Sequence, residues 1–155
     1  MTGIIAKRLK DKGIELPQVT APVANYTPYV ITGNLVFISG QGPIGPNGLA
    51  WRGKCGAEID LAQAQQAARL TALNVLAQLR AACEGDLDRV RRCVRLEGFV
   101  NATPDFTQHP AVINGASDVI VDVLGPAGVH ARYAVGCNSL PFDMPVEIAA
   151  VFEIV

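Results

Sequence analysis

Hydrophobic positions along the 155-residue chain change their period several times, and each change marks an element. Ile4, Ile5 and Leu9 recur at helical spacing within residues 2–12, and Gly13 and Pro17 supply a stop, so a short amphipathic N-terminal helix is predicted. Residues 18–28 are rich in Pro, Thr and Ala and read as an extended lead-in. Residues 29–32 and 35–39 are β-branched and aromatic, and Gly33-Asn34 between them is a two-residue hairpin signal. Residues 43–56, broken by Pro43, Gly45, Pro46, Gly48 and Gly53, form a loop or a loosely paired hairpin packed down by Trp51.

Asp60 is a good N-cap, and Leu61, Ala64, Ala67, Ala68, Leu70, Thr71, Leu73, Val75, Leu76 and Leu79 mark a long helix running to Gly85. Residues 90–100 read as a strand. Val90, Val94, Leu96, Gly98 and Val100 share its buried face, and Arg91, Cys93, Arg95, Glu97 and Phe99 the accessible one. A second helical stripe, Val112, Ile113, Ala116, Val119, Ile120, Val123 and Leu124, ends at Gly125-Pro126. Residues 130–137 and 145–155 are two final strands. The order strand, strand, helix, strand, helix, strand, strand, with no internal repeat or linker, predicts one α/β or α+β domain.

Composition sharpens this picture. Charged residues are 17% against a typical value of about 25%, and hydrophobic residues reach 50%, so a lone protomer has little charge to cover its surface and a buried homo-oligomer interface is expected. With 13 basic and 14 acidic residues the net charge is −1, which argues against a general nucleic-acid coat. Lys7, Arg8, Lys10 and Lys12 stand where a secretory signal would need a continuous apolar stretch, and no apolar run approaches a membrane span; a soluble, cytoplasmic protein is expected. Cys55, Cys83, Cys93 and Cys137 form no C-x-x-C pair, and only His109 and His130 could complete a metal site, so buried free thiols are expected and no metal.

Among motifs, Gly40-Gln41-Gly42 lacks the third glycine of a dinucleotide fingerprint and opens no helix, and the signatures of phosphate loops, zincins and α/β-hydrolases are absent. What remains is polar residues inside apolar strands. Arg132 lies among Ala131, Tyr133, Ala134, Val135 and Gly136, where it needs a carboxylate from another segment or a ligand; taken alone, a structural ion pair is expected. Glu147 and Glu153 share one face of the last strand, as solvated, interface-facing or catalytic carboxylates. Asn114 could orient a ligand or bridge locally, and Tyr29 could be core. Arg89, Arg91, Arg92 and Arg95 read as a solvated strand face.

Tyr26-Thr27-Pro28-Tyr29, the stretch from Gly33 through Ser39-Gly40-Gln41, Val112-Ile113-Asn114, Ala131-Arg132, and Leu140-Pro141 followed by Val146-Glu147-Ile148 resemble the reactive-intermediate deaminase (RidA, also YjgF) family. The likeness runs from about Asn25 to the C-terminus, leaving residues 1–24 as an N-terminal extension of a single domain spanning 1–155. The resemblance implies a chorismate-mutase-like fold with a mixed sheet, two helices packed on one face, and a homotrimer whose sheets form a central barrel. It also implies clefts between subunits that need no cofactor or metal and hydrolyse small carboxylate-bearing imines or enamines to keto acids and ammonia. By the same resemblance Arg132 pairs with the substrate carboxylate and Glu147 holds the attacking water, while Tyr29, Ser39, Gly40, Asn114 and Ala134 line the cleft. Two positions depart from the deaminating pattern, which has a second Glu at Ala149 and a Cys at Ala134. The alternative is therefore a trimer that binds a small carboxylate and has lost the reaction. Ribonuclease action ranks last, because no histidine pair is evident and the charge is near zero.

Overall fold

The protein is described here by a computed structural model covering residues 3–19 and 24–155. Its sheet follows from where apolar residues alternate. Strands β1 (Tyr29–Thr32), β2 (Leu35–Gln41), β5 (Val90–Asn101), β6 (Ala131–Cys137) and β7 (Val146–Ile154) make a five-stranded sheet in the order β1-β2-β7-β5-β6. All neighbours are antiparallel except β5 and β6, so the sheet is mixed, as expected. A separate two-stranded ribbon, β3 (Ile44–Gly45) with β4 (Gly48–Leu49), occupies the Pro/Gly-rich segment, and Trp51 packs partly on the core there. Gly33 has φ 59°, as the tight turn between β1 and β2 requires.

Helices α2 (Leu61–Ala82) and α3 (His109–Leu124) cover one face of the sheet. A capping box starts α2: the Gln63 amide donates to Asp60 Oδ1 at 2.8 Å and the Asp60 amide to Gln63 Oε1 at 3.0 Å. Helix α3 begins at His109, three residues before the apolar stripe, because Pro110 fits the first turn, where no amide donor is needed. Val146, Ile148, Ala150, Phe152 and Ile154 of β7 point at the helices and are buried, while Glu147, Ala149, Val151 and Glu153 face the other way.

The face of β5 differs from the alternation expected above. Register shifts between Val90 and Arg92 and between Cys93 and Arg95 re-aim the strand, so Cys93 is 2% exposed in the core and Val94 is 37% exposed. A strict period of two cannot cross two bulges. The uncovered face carries Phe37, Val30, Tyr133 and Val135, each at least 38% exposed, and the Arg95–Glu97 pair at 2.6 Å. Helix α1 (Ile4–Asp11) packs at the margin of this core, to which it contributes Ile5 and Leu9. The Asp88 carboxylate accepts from the amides of Ile4 and Ile5 at 2.8 and 2.9 Å, and Arg8 donates to Val123 O at 2.8 Å at the end of α3.

Candidate functional site

The site residues expected from the sequence fall into two groups. The first gathers on β7 and the end of β2. Ile38 pairs with Ala150 but Gln41 pairs with Ile148, so Ser39-Gly40 form a bulge that inserts one residue opposite β7. Ser39 is held by its hydroxyl donating to Thr27 O at 2.8 Å and its amide donating to Pro28 O at 2.9 Å. The bulge places Gly40 against Glu147. A methyl group at position 40 would stand 2.7 Å from Glu147 Oε1, so the absence of a side chain at Gly40 is what leaves room for the carboxylate.

Glu147 is half-buried, with Phe99 of β5 directly across from it. Burial pushes its carboxyl above its ordinary value, and among the described residues no hydrogen bond or cation acts to lower it. Glu153 on the same face differs, because Asn34 Nδ2 donates to it at 3.0 Å and Arg92 lies 3.7 Å away. One of the two carboxylates is thus tied into surface pairs, and the other has no counter-charge among the described residues.

The second group sits at the β6 edge, on the other side of the sheet. Arg132 is opposite Leu96, which faces the helices, and its guanidinium meets α3. Nη2 donates to Asn114 Oδ1 at 2.9 Å and to Pro110 O at 3.3 Å, and Nη1 donates to Ser117 Oγ at 2.9 Å. In place of the structural ion pair expected for Arg132 taken alone stand three neutral acceptors, and among the described residues no carboxylate pairs with it. Because Nη2 has spent both hydrogens, no adjacent pair of donors is free. A two-pronged carboxylate contact requires one helix contact to yield, and the longest is the one to Pro110 O.

Ser117 carries no sequence signal of its own, and the sequence offers His130 only as a possible metal ligand. Ser117 Oγ lies 2.9 Å from His130 Nε2, and His130 Nδ1 lies 2.5 Å from Gly128 O. A proton on Nδ1 toward that carbonyl leaves Nε2 to accept from Ser117, whose oxygen in turn accepts from Arg132. The signal available was the i, i+3 spacing of Asn114 and Ser117 on one helix face. Tyr29 and Ala134 join neither group's polar contacts. Tyr29 pairs with Ile38, and both Tyr29 and Ala134 pack partly on the core.

A third polar knot closes the end of the sheet. Buried Asn101 accepts from Lys54 Nζ at 2.8 Å and donates to Asp143 Oδ1 at 3.0 Å, and Lys54 also donates to Asn138 O. It holds Phe142 and Asp143 at φ 56° and 59°, left-handed conformations that non-glycine residues rarely adopt. Cys137 lies near Lys54 and Glu147, and its thiol is raised chiefly by burial. Among the described residues no cluster of His, Cys, Asp and Glu could hold a metal ion, and no helix is long and apolar enough to cross a membrane.

Residues 6–152 match the family model described as "YjgF/chorismate mutase-like, putative endoribonuclease". The chain belongs to the YjgF/chorismate-mutase-like family. It is 46% identical over 154 residues to Protein TCP17 of Trypanosoma cruzi, covering 99% of this chain and 96% of that protein. A crystal structure of a protein of unknown function from Agrobacterium tumefaciens is 49% identical, with 98% of this chain and 94% of that one aligned at a TM-score of 0.90. E. coli TdcF with bound serine is more distant, at 26% identity and a TM-score of 0.60 over 90% of this chain and 94% of that one.

Proposed function

We propose that this family member is a cofactor-independent deaminase of small carboxylate-bearing imines or enamines, working as a trimer whose sheets form a central barrel, with each cleft completed between two copies. Arg132 and Glu147 stand on opposite faces of one sheet, so a single protomer presents them to different surfaces. In the proposed cleft, Arg132 and Asn114 of one copy hold the substrate carboxylate, and Ser39, Gly40 and Glu147 of the next hold the water. Tyr29 and Ala134 border the cleft without a polar role.

Water adds to the imine carbon, the C=N π pair moves to nitrogen, and Glu147 takes the proton released by the water. Glu147 passes this proton to nitrogen, giving a carbinolamine. It then takes the hydroxyl proton and delivers it to the amino nitrogen as the O–H pair closes the carbonyl and the C–N pair leaves with nitrogen, so ammonia and a keto acid are released with Glu147 ionised again. A carboxyl whose proton affinity is raised by burial is better suited to both transfers than a solvated one, and general acid–base help of this kind gives about 10² to 10⁴-fold. The observation that carries this reading is Glu147 beside Gly40, half-buried, with no group among the described residues lowering its proton affinity.

The serine bound in TdcF favours a second reading, in which this chain only binds a small carboxylate. Ala149 supports it, since that position lacks the second carboxylate of the deaminating pattern. A ribonuclease reading is not supported: both nitrogens of His130 are engaged and the net charge is −1. Imino acids generated in situ by an amino-acid oxidase separate these readings. The deaminase reading expects faster imine loss with the native protein and none beyond background with Arg132→Ala or Glu147→Ala. Imine decay unchanged by the native protein, together with carboxylate-dependent thermal stabilisation abolished by Arg132→Ala, would leave only the binding reading.

A further inference from the structure

The three acceptors that hold Arg132 are not equivalent. Asn114 Oδ1 and Pro110 O carry no hydrogen and can only accept, whereas Ser117 Oγ is a hydroxyl, which donates as readily as it accepts. A hydroxyl hydrogen turned toward Nη1 would set two donors against each other, and Arg132 would lose its contact with the second turn of α3. Whatever turns that hydrogen away therefore decides how firmly the guanidinium is held.

His130 is placed to do so. It stands two residues before Arg132, so both side chains lie on the side of the chain that meets α3. Its Nδ1 lies 2.5 Å from Gly128 O, and because a carbonyl can only accept, Nδ1 carries a hydrogen. In the neutral ring Nε2 is then bare and takes the hydrogen of Ser117, 2.9 Å away, which leaves the Ser117 oxygen only to accept from Arg132. The carbonyl at the head of this relay is itself fixed. Buried Gly128 ends the 3₁₀ turn Gly125–Gly128, which presses on α3 so closely that a methyl group at position 128 would stand 2.6 Å from Ile120 O and 2.8 Å from Val121 Cα. Helix α3 thus anchors the relay at Gly128 and meets Arg132 again through Asn114 and Ser117.

We propose that Ser117 and His130 are positioning residues for Arg132: His130 commits the Ser117 hydroxyl to accepting, and Ser117 then holds the guanidinium in the orientation that receives a carboxylate. Holding it in advance spares a ligand the cost of ordering a long, flexible side chain. The inference rests on Arg132 as carboxylate anchor, which the deaminase and the binding readings share.

Titration calorimetry of the full chain with pyruvate, the smallest keto acid with a side chain, tests it, with melting temperatures confirming that each variant is folded. Ser117→Ala should weaken pyruvate binding about tenfold, the lower end for a hydrogen bond to a charged group. His130→Phe keeps a ring without nitrogens and should weaken binding at least about threefold, although His130 makes no contact with the guanidinium. The double variant should bind within about twofold of Ser117→Ala alone, because His130 acts only through the Ser117 hydroxyl. A merely structural role for His130 in its turn would persist without that hydroxyl, and the two losses would multiply. Multiplied losses, or affinity unmoved by Ser117→Ala and His130→Phe where Arg132→Ala abolishes it, would overturn this inference alone. Pyruvate binding that is absent, or indifferent to Arg132→Ala, would overturn the anchor role of Arg132 and this inference with it.

Discussion

Gly40→Ala probes whether the bulge exists to make room for Glu147. The added Cβ would stand 2.7 Å from Oε1, 3.1 Å from Cδ and 3.2 Å from Cγ of Glu147, all inside ordinary contact distance. Because β7 is paired on both sides, the Glu147 backbone cannot retreat and its side chain must leave its rotamer. That costs about 0.5–1.5 kcal/mol. Opposing it is the gain of about 0.4–1 kcal/mol from restricting the unfolded chain, available because Gly40 is not in the left-handed region. The net change in the native protein lies between a gain of about 0.5 and a loss of about 1 kcal/mol.

In a Glu147→Ala background the obstruction is gone, and the same substitution should stabilise by about 0.4–1 kcal/mol. Urea denaturation of the four proteins at one protomer concentration measures the coupling, expected at about 0.5–1.5 kcal/mol. If the imine assay shows turnover, Gly40→Ala should lower kcat at least tenfold, a part of the 10² to 10⁴-fold due to the displaced group, with little effect on KM. Equal stability changes in the two backgrounds, within about 0.3 kcal/mol, would refute the claim that Gly40 acts through Glu147.

Other outcomes follow from the same contacts. Burial raises the folded-state carboxyl of Glu147 above its value of 4.5, so the native protein loses stability from this group as pH rises through the folded value. Glu147→Gln should therefore melt higher than the native protein at pH 7 and match it below about pH 4, as scanning calorimetry can check. Asp143→Ala removes an acceptor from buried Asn101 and should cost about 1–3 kcal/mol in urea denaturation. Cys93 and Cys55, pushed up to about 12 and about 11 by burial, should resist Ellman's reagent at pH 8 until the protein is unfolded, whereas half-buried Cys137 reacts first. Arg132→Lys should lose most carboxylate affinity despite keeping the charge, because a point charge cannot replace a planar fork in ligand titrations.

Much of the fold was legible because its strands and helices keep their periods. The β1–β2 turn, the Asp60 cap and the alternating faces of β7 all follow from local chemistry. The alternation of β5 fails at Cys93 and Val94, where bulges shift register without a local signature. Arg132 and Glu147 could be picked out as charges within apolar strands, but their placement on opposite faces is a property of register across the sheet. The Ser117–His130 contact and the Lys54–Asn101–Asp143 knot join segments 13 to 89 residues apart, beyond what spacing along one element reveals.

The central claim is that Arg132 of one copy works with Glu147 of another. Mixing Arg132→Ala with Glu147→Ala subunits, refolded together in equal amounts, tests it most directly in the imine assay. Neither parent should be active, and random mixing should restore about a quarter of native activity, since half of all clefts keep each residue independently. Mixed oligomers as inactive as their parents, with co-assembly verified by mass, would contradict a site shared between copies.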